Sequence, residues 1–99
     1  MRGLMSGAER NDTAQEWTDT VVAGPGGAMT DEVGVITGEL TLRTVAGADG
    51  KIRFEIQYLD ADEWYTLTGG PLPHGDAHAL HLAALAAVRA SGGAEAPSA

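Results

Sequence analysis

Ninety-nine residues with no cysteine and a formal net charge of −8 allow one small domain at most and exclude disulfides and thiolate chemistry. So acidic a chain has no basic patch to neutralise phosphates and is repelled by anionic lipid, so neither nucleic acid nor a membrane is an expected partner. No run approaches the roughly 20 apolar residues that span a bilayer, and no apolar leader opens the chain, so a cytoplasmic location is expected.

The charge is unevenly placed. Residues 1–32 carry −4, residues 33–59 are neutral, the stretch Asp60-Ala61-Asp62-Glu63 adds −3, and residues 64–99 add −1. Residues 1–30 are therefore expected to form a flexible acidic N-terminal arm, ending at the break Gly24-Pro25-Gly26-Gly27, with Met29 marking where the folded domain begins. Within the arm, Asp12-Thr13-Ala14-Gln15 resembles a capping box, and Ala14, Trp17 and Val21 fall at helical spacing. A short helix over 12–20 is one expectation and disorder the other.

The expected fold is α+β: a three-stranded antiparallel meander with one C-terminal helix packed on one face (β-β-β-α) over residues 31–91, followed by a disordered tail, 92–99. Residues 33–45 alternate, with Ile36, Leu40 and Leu42 on one side and Glu39, Thr41 and Arg43 on the other, and Gly38 suggests a bend. Residues 51–59 repeat the pattern with Ile52, Phe54, Ile56 and Tyr58 inward. A two-residue turn at Asp49-Gly50 would mix the two faces. A three-residue loop Ala48-Asp49-Gly50, with Gly50 left-handed, instead sets Leu42 opposite Ile56, Leu40 opposite Tyr58, Thr44 opposite Phe54 and Arg43 opposite Glu55. A third strand is expected over 64–69. A four-residue loop, 60–63, would set Leu59 opposite Trp64 and Tyr58 opposite Tyr65.

The helix is expected from about 76 to 90, with Asp76 as N-cap and Gly92-Gly93 as stop. Leu80, His81, Ala84, Leu85 and Val88 gather on one side, and alanines occupy the other. With a helix in the arm, the order α-β-β-β-α resembles double-stranded-RNA-binding domains in topology. The lysines that open their last helix are replaced here by His74-Gly75-Asp76-Ala77-His78. The β-β-β-α order also resembles MbtH-like adaptor proteins, whose tryptophan–proline signature this chain lacks. Neither resemblance assigns a family.

Two sets of residues carry candidate chemistry. His74, His78 and His81 fall four and three apart, a spacing that can present metal ligands on a helix, so a small His-based metal-binding protein is one alternative. The zinc-protease glutamate is absent, and a half-buried structural role is the stronger account of His81. Asp60, Asp62 and Glu63 lack the glycine and distal glutamate of a calcium loop. No nucleophile elbow or phosphate loop occurs, so no catalytic residue and no cofactor are expected.

The second set lies on the sheet face that one helix cannot cover: Trp64, Leu59, Thr41, Arg43, Glu55, Gln57 and Thr66. A Trp beside a Leu is a frequent partner anchor, unless the arm folds over it with Trp17, Val21 and Val22. The first strand would also present an open edge for self-association or a partner strand. The expected function is a non-catalytic protein-interaction or regulatory accessory module. The alternative is an acidic antagonist of a basic partner, in the manner of an antitoxin, immunity protein or nucleic-acid mimic.

Overall fold

A computed structural model describes residues 15–90 and 93–97. The first three residues of the expected capping box, Ser91-Gly92 and the last two residues lie outside the described residues. The chain folds as a small α+β unit: strands β1 (Gln15–Val22), β2 (Ala28–Thr30), β3 (Gly34–Ile36), β4 (Glu39–Ala46), β5 (Ile52–Tyr58) and β6 (Tyr65–Thr66), then helix α1 (Ala77–Arg89). The main sheet is antiparallel in the order β1-β4-β5-β6, and β2-β3 is a separate hairpin.

The central pair β4–β5 follows from alternation. Leu40, Leu42 and Thr44 face the buried side against Ile52, Phe54 and Ile56. The register is the expected one: Leu42 opposes Ile56, Leu40 opposes Tyr58, Thr44 opposes Phe54 and Arg43 opposes Glu55. Gly50 sits at φ 85°, where a side chain would be strained. The backbone bond from Gly47 N–H to the Lys51 carbonyl, 2.9 Å, closes the three-residue loop. A slip of one residue would carry the whole apolar set to the other face.

Three expectations are corrected. Residues 15–22 form neither a helix nor a loose arm. They are β1, which pairs along its whole length with β4, so Val21 opposes Leu40 and Trp17 opposes Thr44. The edge of β4 is therefore occupied by the chain itself and is not open to a partner strand. Residues 33–45 are not one strand, because Gly38 at φ 91° breaks extended pairing between β3 and β4. The third strand is short and shifted by two residues: Tyr65 opposes Ile56 and Thr66 opposes Glu55. The shift follows from a wider loop. Asp60 adopts φ 63°, the Ala61 N–H bonds the Tyr58 carbonyl at 3.0 Å, and the Gln57 amide bonds the Ala61 carbonyl at 2.9 Å.

The second layer is α1, which packs on β1 and β4. The β2–β3 hairpin crosses to the far edge, where Thr30 bridges Leu67, the Thr68 N–H bonds the Met29 carbonyl at 2.9 Å and Ala94 bridges Ala28. Residues 93–97, expected within a loose tail, thus join the hairpin, and the Ala96 N–H bonds the Thr68 carbonyl at 2.8 Å. Helix α1 is capped by the Asp76 carboxylate, which accepts from the Ala79 N–H at 3.1 Å. It buries Ala77, Leu80, His81, Ala84, Leu85 and Val88, the side that its 3.6-residue period gathers. Gly24 passes so close to its C-terminus that a Cβ there would collide with the Ala90 carbonyl. Among the described residues no helix is long and apolar enough to cross a membrane.

Candidate functional site

The face of the sheet turned away from α1 is built from alternate residues of its strands. Its rows follow from the pairing: Val22 with Glu39, Thr20 with Thr41 and Gln57, and Thr18 with Arg43, Glu55 and Thr66. β1 thus widens the face by one strand, with Glu16, Thr18, Thr20 and Val22 all exposed.

At its centre lies a stack. The Arg43 guanidinium sits 4.0 Å from the centroid of the Trp64 ring and pairs with the Glu55 carboxylate at 2.7 Å. The wider β5–β6 loop makes this possible, because Trp64 is released from pairing with Leu59 and reaches over β5 to β4. A cation held between a carboxylate and an aromatic face has little freedom to reorient. The arrangement fixes the indole on the sheet surface and leaves it half-buried.

Trp64, Arg43, Glu55, Thr41 and Thr66 are therefore brought together on one face. Leu59, 38% exposed, and Val22, 61% exposed, lie at its end, where the Leu59 N–H bonds the Glu39 carbonyl at 3.0 Å. Gln57 departs from expectation. It is only 9% exposed and its amide is spent on the Ala61 carbonyl, so it props the loop and offers little to a partner. Beside this set, Arg53, Phe54, Glu55, Thr66 and Pro71 line a small hollow of about 170 Å³.

Thr66 is anchored from outside the meander. Glu32, in the β2–β3 turn, accepts from the Thr66 N–H and from its hydroxyl, both at 2.7 Å. The neighbouring Asp31 accepts from the Thr68 hydroxyl at 2.8 Å. The Thr66 hydroxyl, followed by its N–H, holds the Glu32 carboxyl below the usual carboxylate range. These two residues position the strand that follows Trp64.

The histidines do not form a metal centre. Among the described residues no group of three or more His, Cys, Asp or Glu side chains is placed to hold a cation. His74 is exposed ahead of the helix cap. His78 stacks on Trp17, ring centroids 5.6 Å apart. His81 is 1% exposed, with Nε2 2.7 Å from Asp19 Oδ2 and Nδ1 2.7 Å from Thr44 Oγ1. An imidazole protonated on Nε2 donates to Asp19 and accepts from the Thr44 hydroxyl. The order carboxylate–imidazole–hydroxyl is that of a nucleophilic triad. Here the hydroxyl is sealed between sheet and helix, so the cluster clamps β1 and β4 to α1.

β1, the largest element missed in the sequence, carried one usable signal: Thr18, Thr20, Val21 and Val22 are β-branched, which favours strand over helix. Asp19 on the inner face interrupts the alternation that would have revealed it. No protein-family model, curated protein or solved structure matches the chain.

Proposed function

We propose that this chain is a non-catalytic protein-interaction module that binds a different protein through the sheet face centred on Trp64. The observation that carries the reading is the Trp64–Arg43–Glu55 stack on the sheet face that, among the described residues, no helix covers. Indole rings held in place on a rigid surface supply large contact area at little entropic cost, and Trp and Arg are the commonest interface anchors. Exposed Val22 and Leu59 add apolar area at the end of the same face. A net charge of −8 makes two copies repel, which favours a different partner over self-association.

The test is capture of a stoichiometric partner on the full chain, compared with Trp64→Ala. The reading expects the variant to keep its melting temperature within a few degrees and to lose the partner, and expects the partner to protect Trp64 from hydroxyl-radical footprinting. Undiminished capture by Trp64→Ala, or a footprint elsewhere, overturns it. Should Trp64→Ala unfold, Thr20→Arg on the exposed row takes its place.

A further inference from the structure

Resting on that reading, we infer that the partner of the Trp64 face presents a cationic segment, rich in arginine or lysine. The strand residues of this face include two cations, Arg43 and Arg53, and both are already matched within the chain. Arg43 is paired with Glu55 at 2.7 Å and Arg53 with Asp49 at 3.0 Å. Among the described residues the carboxylates around Trp64 have no such cationic match. Glu32 and Asp31 accept from neutral threonine donors, at 2.7 and 2.8 Å, and Glu63 accepts from the Tyr65 hydroxyl at 3.3 Å. Asp60 and Asp62 are exposed in the loop that delivers the indole.

The face is therefore an aromatic centre with a negative border, held in place before a partner arrives. The hydrogen bonds from Thr66 favour the ionised form of the Glu32 carboxyl. A cationic segment gains from this border in two ways. Its approach is steered by the field, and its aliphatic arginine or lysine stems cover Val22, Leu59 and the indole. An acidic or neutral partner would leave the border desolvated and unmatched.

The experiment titrates the isotope-labelled full chain with a synthetic peptide alternating arginine with threonine, and with its counterpart alternating glutamine with threonine. The arginine peptide is expected to bind and to shift the amides of Thr18, Thr20, Thr41 and Trp64. The glutamine peptide is expected to be silent. Affinity should fall roughly tenfold between low and physiological salt, as for exposed charges. Thr20→Lys should weaken binding several-fold, whereas Thr20→Glu should leave it unchanged or stronger.

Equal weakening by both Thr20 variants overturns the inference, since the face would then be read by shape and not by charge. Shifts centred on Asp76 and Glu95 overturn it as well, since the attraction would then belong to the whole acidic chain. Binding of neither peptide also overturns it. In that case the capture experiment with Trp64→Ala still decides separately whether the face binds any protein.

Discussion

Asp19 and His81 stand 62 positions apart in the chain and meet at 2.7 Å, joining the first strand of the sheet to the closing helix. The same imidazole reaches Thr44 on the neighbouring strand at 2.7 Å. One side chain therefore holds β1, β4 and α1 together, and the two ends of that clamp differ in worth. The Thr44 end is buried, whereas the Asp19 side chain is 57% exposed.

This asymmetry predicts unequal mutants. His81→Ala removes a fully packed ring and strands the Thr44 hydroxyl, and should cost about 2–4 kcal/mol. Asp19→Ala removes a partner that water can replace, and should cost no more than about 1 kcal/mol. Urea titration followed by far-UV circular dichroism measures both. Equal losses would show that the carboxylate, and not the packing, holds the strand.

Gly24→Ala should be among the most damaging single changes. Its methyl group would occupy the space of the Ala90 carbonyl, and the Gly24 N–H now bonds the Val88 carbonyl at 2.8 Å. Neither backbone can yield without undocking the end of α1. A loss of more than about 2 kcal/mol is expected. Gly34→Ala serves as a comparison: its φ of 76° carries strain, but nothing lies within 4 Å of the added methyl. Melting temperatures should separate the two.

Asp49 should titrate well below an ordinary aspartate. Its hydrogen bond from Arg53 is the largest cause, with the Lys51 N–H adding to it, and the carboxyl is held down from 3.8 to about 2. A lowered value means that the ionised form is favoured by folding. The stabilising contribution to the β4–β5 turn is full above 3.8 and is lost as pH falls through about 2. Carboxyl carbon shifts should give a midpoint of about 2, and Arg53→Gln should move it upward.

Glu32→Gln should loosen the join between hairpin and sheet. The variant keeps an oxygen acceptor but loses the charge that strengthens both bonds from Thr66. Amide exchange at Thr66 and Thr68 should quicken roughly tenfold as local opening becomes easier, while Leu42 and Ile56 on the central pair remain protected. Equal acceleration at all four amides would mean that the hairpin is part of the global folding unit.

Much of the centre was legible in the residues alone. Strict alternation over 39–45 and 52–58, a glycine that could take a left-handed turn, and an Arg opposite a Glu left one register for β4–β5 that kept both faces consistent. Asp76 and the leucine spacing marked α1. These are local signals, written within a few residues of the structure they specify.

What failed depends on distant partners. In Gln15–Val22 the inner row Trp17, Asp19, Val21 is broken by a carboxylate, and nothing nearby says that Asp19 will be taken up by a histidine from the last helix. The β5–β6 register depended on a loop whose width is set by Gln57 folding back on Ala61. The place of Trp64 follows from that loop, so the sequence set Trp64 on the face turned away from α1 but in the wrong pair.

By itself, the sequence determined an acidic α+β chain with a central hairpin, a closing helix and an aromatic candidate on the uncovered side, because hydrophobic period and turn chemistry act over short distances. Only the tertiary structure decided that the N-terminal segment is a strand, that His81 is buried between Asp19 and Thr44, and that Trp64 rests on Arg43. Each of those outcomes needs two segments to satisfy one another's hydrogen bonds or charges, and that requirement exists only once the chain has brought them together.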